Sequence, residues 1–278
     1  MNPTLKRSSL SLAAAALSFA SWPVMAECVV DTYEFAIGKS IEARLSTHLT
    51  AHIQKPDEEE FRLTVFKDTA EIFSYIYDIN SEPRYVRGAP QIIATDINND
   101  GIKELLIGTG EGMANSYYWM LMPMKNGKWH LFDDISDPEF CRTDSGYTTA
   151  ARSGQRWTET YWAIGTDGTP YRKISQTIVD EGIVHRVVYN PKGRIVSQAI
   201  ASEDHDIFAS PPRYMARVSP DGNSVPVYKS PEGNREVTRL KANAPVELVG
   251  VDNFYSMFRV EYGNGKRGWI MLEDISYK

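Results

Sequence analysis

The segment WTETYWAIGTDGTPYRKISQTIVDEGIVHRVVY, residues 157–189, decides the fold class. Aromatic and β-branched residues alternate with polar ones over Thr158 to Ile164, Lys173 to Val179 and Ile183 to Tyr189, a pattern typical of half-buried strands. The turn-forming pairs Asp167-Gly168 and Glu181-Gly182 separate the three runs. The segment therefore predicts three antiparallel strands joined by two hairpin turns.

The same punctuation continues on both sides of this segment. Asn126-Gly127, Ser153-Gly154 and Pro191-Lys192-Gly193 each separate two short apolar runs. The pattern extends from Glu27 to about Ser202 and predicts an antiparallel β-meander. The predicted fold class is all-β.

Residues 40–54 are ambiguous between strand and helix. Apolar residues recur at helical spacing through Ile41, Leu45, Leu49 and Ile53, but the run also alternates as a strand does, and we favour the strand. A helix would place His48 and His52 side by side, whereas a strand separates them by about 13 Å. A shared metal is therefore not expected, and both histidines are interpreted as exposed polar positions.

A second unit follows a polar stretch. Residues 203–213 are rich in polar groups and contain Pro211-Pro212, which indicates a linker. Six short strand-like runs then crowd into residues 214–278, a size typical of a small barrel. The predicted organisation is a meander domain over 27–202, a linker over 203–213 and a barrel over 214–278.

Residues 1–26 have the pattern of a secretory signal. Lys6-Arg7 precede an apolar run from Leu10 to Ala20, and Val24-Met25-Ala26 supply a small-residue cleavage pattern. No segment reaches the roughly 20 apolar residues that a spanning helix requires. We expect a periplasmic or secreted protein that begins at Glu27, and Glu27 itself disfavours lipidation at Cys28, because that pattern needs a small residue there.

The charge balance limits the partners. The chain has 30 basic and 36 acidic residues, and removing Lys6 and Arg7 with the signal leaves 28 against 36, a net charge of −8. Nucleic acid is excluded because no basic field is available to hold a phosphate backbone, whereas a cationic partner is favoured.

The two cysteines are Cys28 and Cys141. In an oxidising compartment an even number of cysteines is normally paired, so one disulfide is predicted. The alternative, a nucleophilic Cys141, is disfavoured because its surroundings read as a polar loop without a helix N-terminus to lower a thiol pKa.

The decapeptide DINNDGIKEL, residues 96–105, predicts a calcium site. Its proposed ligands are the side chains of Asp96, Asn98, Asp100 and Glu104 and the carbonyl of Ile102, with Gly101 at the sharp turn. An EF-hand is excluded, because its twelfth position is Ile107 and the flanks read as strands. The alternative is an ordinary Asn-Asp-Gly hairpin turn.

This decapeptide resembles the calcium loops of FG-GAP and VCBS repeats, of which the chain has one. Together with the segment Gly108–Trp119 and with Asn126-Gly127-Lys128-Trp129, it resembles a family of periplasmic lysozyme inhibitors that includes immunity proteins against secreted peptidoglycan hydrolases. The resemblance covers about residues 89–194. It implies a propeller-like meander. On that basis we predict an inhibitor loop that presents Glu111, Ser116, Tyr117 and Tyr118; the alternative is that Tyr117, Tyr118 and Trp119 are an alternating core strand.

The C-terminal quarter resembles a bacterial SH3-type (SH3b) domain. The resemblance rests on Val225-Pro226-Val227-Tyr228 and on Gly265-Lys266-Arg267-Gly268-Trp269-Ile270, in which Gly268 and Trp269 are the signature residues. It implies a small barrel that contacts peptidoglycan or its peptides.

No enzyme motif competes with these interpretations. The chain lacks a Gly-x-Ser-x-Gly elbow, a phosphate loop and zinc-ligand spacing, and the carboxylates of residues 58–60 read as a solvated turn. We therefore expect a non-enzymatic inhibitor of, or immunity protein against, a lysozyme-like hydrolase. The alternative is a cell-envelope adaptor that binds peptidoglycan through its SH3b domain.

Overall fold

The computed structural model describes residues 30–34, 38–56, 60–78, 91–111, 115–140, 146–153, 156–219 and 224–277. Within these residues the regular structure is β-strand, apart from one turn of 3₁₀ helix at Leu272–Asp274. The strand pairings are antiparallel. The predicted all-β class is confirmed.

The strands, in chain order, are β1 (Asp31–Glu34), β2 (Ser40–Arg44), β3 (Leu49–Gln54), β4 (Glu60–Lys67), β5 (Ala70–Asp78), β6 (Gln91–Thr95), β7 (Glu104–Glu111), β8 (Ser116–Pro123), β9 (Trp129–Ser136), β10 (Pro138–Phe140), β11 (Gly146–Ser153), β12 (Arg156–Ile164), β13 (Pro170–Asp180), β14 (Ile183–Tyr189), β15 (Ile195–Ser202), β16 (Tyr214–Val218), β17 (Val225–Tyr228), β18 (Glu236–Leu240), β19 (Pro245–Val251), β20 (Met257–Tyr262), β21 (Lys266–Met271) and β22 (Ile275–Ser276).

The chain divides into two compact units. The first comprises residues up to Arg152 together with Tyr161–Tyr171, and the second comprises Ser153–Thr160 and Arg172–Lys278. Each division falls inside or beside a hairpin strand rather than in the segment 203–213.

Two sheets of the first unit share a core. The four-stranded sheet has the order β2-β3-β4-β5, and the five-stranded sheet has the order β1-β6-β7-β8-β9. Alternate side chains of both sheets point into one apolar cluster, as the two-residue period of a strand requires. This cluster contains Phe61 and Leu63 from the first sheet and Leu105 and Trp119 from the second.

The five-stranded sheet is also covered on its other face. Leu106 and Met120, each one position away from a residue of the first cluster, pack in a second cluster with Tyr147 of β11. The ring of Tyr147 stacks on Trp162 of β12, with centroids 6.1 Å apart and planes 10° apart. Successive residues of β7 and β8 therefore enter opposite cores.

Residues 40–54 are extended, as favoured from the sequence, but they form a hairpin rather than one strand. The turn around Ser46 joins β2 to β3, which pair from Ser40 opposite Gln54 to Arg44 opposite Thr50. His48 lies in this turn with its Nδ1 3.0 Å from Asp68 Oδ1, whereas the ring of His52 contacts the ring of Phe66 in a tilted arrangement. Both histidines are partly or largely exposed.

In the second unit, strands β12-β13-β14-β15 are neighbours in one sheet, and a seven-stranded sheet has the order β18-β17-β21-β20-β19-β16-β22. Ile183 and Ile200 of the first sheet pack with Val246, Phe258 and Ile270 of the second in one core. The six strands predicted after residue 213 are all present. In place of a closed barrel, however, the described residues form an open sheet with β18 and β22 at its edges.

A buried arginine holds the segment predicted to be a linker. Arg186 is almost fully buried, and its guanidinium donates to the Gln176 side-chain oxygen at 3.0 and 2.8 Å. The same group donates to the carbonyls of His205, Asp206 and Ala209 at 2.8 to 3.1 Å. Residues 205–209 are therefore attached to the sheet by charge-assisted hydrogen bonds.

Candidate functional site

The loop between β6 and β7 is organised by side chains that accept backbone hydrogen bonds. Asp96 accepts from the amide of Asp100 at 3.1 Å and from that of Gly101 at 2.9 Å. Asn98 Oδ1 also accepts from the Asp100 amide, at 2.9 Å, and Asp100 Oδ1 accepts from the Ile102 amide at 2.9 Å. Oxygen side chains at alternate positions thus fold the loop around themselves, as Asx turns do.

Two positions of this loop have positive φ angles and therefore favour particular residue types. Asn99 and Gly101 adopt φ values of 58° and 84°, in the left-handed region that asparagine and glycine tolerate. A Cβ at position 101 would meet no atom within 4 Å, so conformation rather than space requires the glycine.

Glu104, the first residue of β7, connects the end of the loop to its beginning through its side chain. Its side chain is completely buried and accepts from the Ile97 amide at 2.7 Å and from Asn98 Nδ2 at 2.9 Å. Burial raises the pKa of Glu104 to about 8 despite these hydrogen bonds, and the negative charges of Asp100 and Asp96 add to the rise. The buried carboxyl of Glu104 is therefore influenced by the negative charges of two acidic residues of the same loop.

The donor chemistry of the loop suits a hard cation, because every predicted side-chain ligand presents oxygen. In the present loop conformation those oxygens accept N–H groups. Among the described residues, no three His, Cys, Asp or Glu side chains are grouped closely enough to hold a metal ion. The calcium site therefore stays a prediction. The amide of Ile102 donates to Asp100 and its side chain packs against the first core of the first unit.

The loop is tied to its surroundings on two sides. Lys103 Nζ lies 2.5 Å from Asp31 Oδ2 of β1, and the Lys103 amide donates to the Leu45 carbonyl at 2.9 Å. On the other side the Gly146 amide donates to the Ile97 carbonyl at 3.3 Å. These contacts fix the loop between three segments that are distant in sequence.

Predicted inhibitor residues lie at the end of the β7–β8 hairpin where the chain passes from one strand to the other. Glu111 pairs with Ser116 and Gly110 with Tyr117, after an irregularity between Gly108 and Gly110. The backbone of Glu111 is described, but its side chain lies outside what the structure describes, as do residues 112–114. The structure therefore brings the four predicted residues to one hairpin end without defining the carboxylate of Glu111.

Two neighbouring segments hold this hairpin end. The Ser116 amide donates to Asp137 Oδ1 at 2.9 Å, and the Ser116 carbonyl accepts from the Asp137 amide at 2.9 Å. Asn115 forms a second pair of hydrogen bonds with the backbone of Arg152, at 2.9 and 3.3 Å. Asp137 and Asn115 were not among the predicted site residues, although Asp137-Pro138 carries the signal of a turn.

The aromatic residues after Ser116 have different environments. The Tyr117 hydroxyl accepts from Asn115 Nδ2 at 3.1 Å, and the Tyr118 hydroxyl donates to Gln91 Oε1 at 3.2 Å while its ring packs on the second core of the first unit. Trp119 is buried in the other core, with its ring 6.3 Å from Phe61 and 6.0 Å from Tyr75. Tyr117 and Tyr118 are half-buried, so each offers only part of a ring to a partner.

The predicted SH3b signature residues, Gly268 and Trp269, lie on β21 of the seven-stranded sheet. A Cβ on Gly268 would lie 2.3 Å from Val227 Cγ1 and 3.1 Å from the Tyr228 carbonyl, so only glycine lets β21 approach β17. Trp269 pairs with Tyr228 on one side and Arg259 on the other, and its side chain is only partly buried.

A shallow groove of about 220 Å³ lies at one end of this sheet. Glu247 and Glu261 face each other across β19 and β20 in the groove, which also exposes Met215. Arg213 approaches Glu247 at 3.4 Å and Arg267 approaches Glu261 at 2.9 Å, which offsets the repulsion between the opposed carboxylates.

Cys28 and Cys141 both lie outside the described residues, as does the predicted signal segment 1–26. The disulfide stays a prediction. Among the described residues, no helix is long and apolar enough to cross a membrane. No family model, curated protein or solved structure matches the chain.

Proposed function

We propose that the chain is an exported inhibitor of, or immunity protein against, a lysozyme-like peptidoglycan hydrolase, acting through the end of the β7–β8 hairpin where the two strands are connected. The observation that carries this proposal is the double anchoring of that end, Ser116 to Asp137 and Asn115 to Arg152. A loop whose base is fixed before contact loses less conformational entropy on binding. The hairpin end thus has the stiffness that insertion into a cleft requires.

The chemistry at the hairpin end suits a sugar-binding cleft. Hydrolases of this class place two carboxylates around the scissile glycosidic bond and bind sugars through hydrogen bonds and apolar ring faces. Ser116 and Tyr117 supply hydroxyls, and the exposed parts of the Tyr117 and Tyr118 rings supply aromatic surface. Glu111 adds a carboxylate that can approach cationic groups on the rim of such a cleft.

Calcium has a supporting role in this proposal. The ion would be held by Asp96, Asn98, Asp100, Glu104 and the Ile102 carbonyl, and it would stiffen the loop at the start of β7. Because β7 leads directly into the hairpin end, order in the loop favours order in the binding element. The support for calcium is the all-oxygen donor set and the buried carboxyl of Glu104, whose pKa is raised by burial and, to a smaller extent, by the charges of Asp100 and Asp96.

A muramidase assay against a panel of lysozyme-like hydrolases tests the proposal. The wild-type chain should inhibit at least one enzyme, and the Glu111→Ala, Tyr117→Ala double variant should inhibit that enzyme at least tenfold less well, a loss in the range typical of interface hot spots. The matched control is Glu181→Ala, Phe254→Ala, which removes an acid and an exposed ring in the second unit.

Two results would count against inhibition through this hairpin. One is a wild-type chain without effect on any enzyme of the panel. The other is equal loss of inhibition in the hairpin variant and the control. Unfolding midpoints of all three proteins, measured in parallel, separate a lost contact from a lost fold.

The second candidate function is binding to peptidoglycan through the SH3-type sheet. The observation that favours it is the groove beside Met215, which presents carboxylates and arginines around an exposed apolar side chain. Such a mixture suits a peptide that carries both amino and carboxyl groups.

Co-sedimentation with purified peptidoglycan tests this function on the full exported chain. Met215→Asp should reduce the sedimented fraction, whereas Met271→Asp, an equally drastic change at another exposed methionine of the same sheet, should leave it unchanged. A wild-type chain that stays in the supernatant would exclude wall binding.

A further inference from the structure

The outer end of the β14–β15 hairpin combines positive charge with exposed apolar surface. Arg172, Lys192 and Arg194 are exposed, and the sequence has no acidic residue in 172–178 or in 187–201. Ile195 and Val196 are 57% and 64% exposed. We call Arg172, Lys192, Arg194, Ile195 and Val196 the basic hairpin end; all of them belong to the second unit.

The turn that carries the basic hairpin end is well ordered. The Asn190 amide donates to the Arg194 carbonyl at 2.9 Å. The Asn190 side-chain oxygen accepts from the amides of Lys192 and Arg194 at 3.0 and 3.1 Å. Gly193 takes φ 72°, which the turn requires. The Arg172 guanidinium lies 4.1 Å from the centroid of the Tyr189 ring, which fixes a third cation beside the turn.

Apolar surface is exposed next to the turn. Ile195 pairs with Tyr189 and Ser197 with Val188, so Val196 is the extra residue of an irregularity in the β14–β15 pairing. Ile195 and Val196 both remain exposed, and the next two residues of the strand are exposed as well. Two adjacent apolar side chains therefore project into solvent beside the cationic groups.

We propose that the basic hairpin end docks on an anionic phospholipid surface, with Ile195 and Val196 entering the interfacial layer and Arg172, Lys192 and Arg194 lying at the level of the head groups. Charge complementarity selects the surface, because this cationic cluster stands out on a chain with net charge −8 in its exported form. A soluble polyanion would match the cations but would leave the two apolar side chains in water. The docking is peripheral and independent of the hydrolase proposal.

Vesicle co-sedimentation tests this docking with the chain from Glu27, since the apolar segment 10–20 would itself bind lipid. Wild-type protein should sediment with phosphatidylcholine vesicles containing phosphatidylglycerol and much less with pure phosphatidylcholine. The Lys192→Gln, Arg194→Gln variant should show a partition coefficient about 30-fold lower. The control Lys241→Gln, Lys266→Gln removes the same charge elsewhere in the second unit and should bind as wild type does.

A second pair of variants isolates the apolar contribution. Val196→Ser should lower the partition coefficient about fivefold, whereas Val237→Ser, at a position 45% exposed on β18, should not change it. Equal effects of the hairpin and control variants would overturn the proposal. So would tight binding to soluble dextran sulfate with no binding to anionic vesicles, because that result assigns the cluster to polyanions without lipid.

Discussion

At the scale of single residues, Glu104 is the most informative group in the molecule. It is a carboxyl with no solvent exposure, two hydrogen bonds and two acidic neighbours, and its pKa is raised to about 8. A raised pKa means that the folded chain holds this proton more tightly than the unfolded chain does. Stability from Glu104 is therefore full below about pH 4.5 and is lost as pH rises toward 8.

We expect chelation to reveal this loss and, on the proposed calcium site, added calcium to reverse it. With a chelator present, the temperature of the unfolding midpoint should decrease as pH rises from 5 to 8. The decrease should correspond to a loss of at most about 4 kcal/mol in the free energy of unfolding. Saturating calcium should raise the midpoint and abolish the pH dependence, because the cation stabilises the ionised carboxyl. Calorimetry at several pH values measures both effects.

Two variants test whether the loop accounts for this behaviour. With chelator present, the unfolding midpoint of Glu104→Gln should no longer depend on pH over this range. The midpoint of Asp100→Ala should no longer rise when calcium is added. Asp167→Ala, an exposed turn aspartate outside the loop, is the control and should preserve both. A midpoint insensitive to calcium in the wild-type chain would eliminate the metal and its stiffening role.

At the scale of elements, the hairpins follow from local sequence and the close approaches do not. The turns at Asn126-Gly127, Asp167-Gly168 and Glu181-Gly182 lie where the sequence predicts them, because glycine supplies the positive φ that each turn needs. The pairing of β1 with β6 and the attachment of residues 205–209 by Arg186 join distant segments. No local pattern specifies such contacts.

Gly268 tests one of these close approaches. Gly268→Ala should destabilise the chain by about 1–3 kcal/mol, because the new methyl group overlaps Val227 in a packed core. Gly250→Ala is the matched control, since its Cβ would meet only Arg259 Cβ at an ordinary 3.8 Å. Urea unfolding measures both, and equal midpoints would show that β17 and β21 are not so closely packed.

At the scale of the whole molecule, the sequence predicted the all-β class and most strands of both units, since alternation and turn chemistry act over a few residues. The small barrel proved to be an open sheet, because strand order depends on contacts between distant segments. The predicted inhibitor residues Tyr117 and Tyr118 are both partly buried, so each ring contacts solvent and the interior of the protein. Hydrophobic alternation assigns a residue to one face or the other and does not predict such partial burial.

Net charge predicts a salt dependence of association, and this prediction rests on the proposed inhibition. The chain from Glu27, with net charge −8, should associate with a cationic hydrolase about tenfold more slowly when ionic strength rises from 0.01 M to 0.15 M, because salt screens the attraction. The dissociation rate should change little. Stopped-flow mixing measures both rates, and a hydrolase of near-zero charge is the control; an unchanged association rate with the cationic enzyme would contradict electrostatic steering.

The placement of the tryptophans has a spectroscopic consequence. Trp119 is enclosed by Phe61 and Tyr75 in the first unit, whereas Trp269 is only partly buried in the second. In the chain from Glu27 with Trp129→Phe, Trp157→Phe and Trp162→Phe, these two are the remaining tryptophans. Trp119 should then emit at short wavelength with a fixed near-ultraviolet dichroic band, and Trp269 should emit at longer wavelength and be more accessible to iodide. Each unit of that variant carries its own optical reporter, so the loosening of one can be followed without labelling the other.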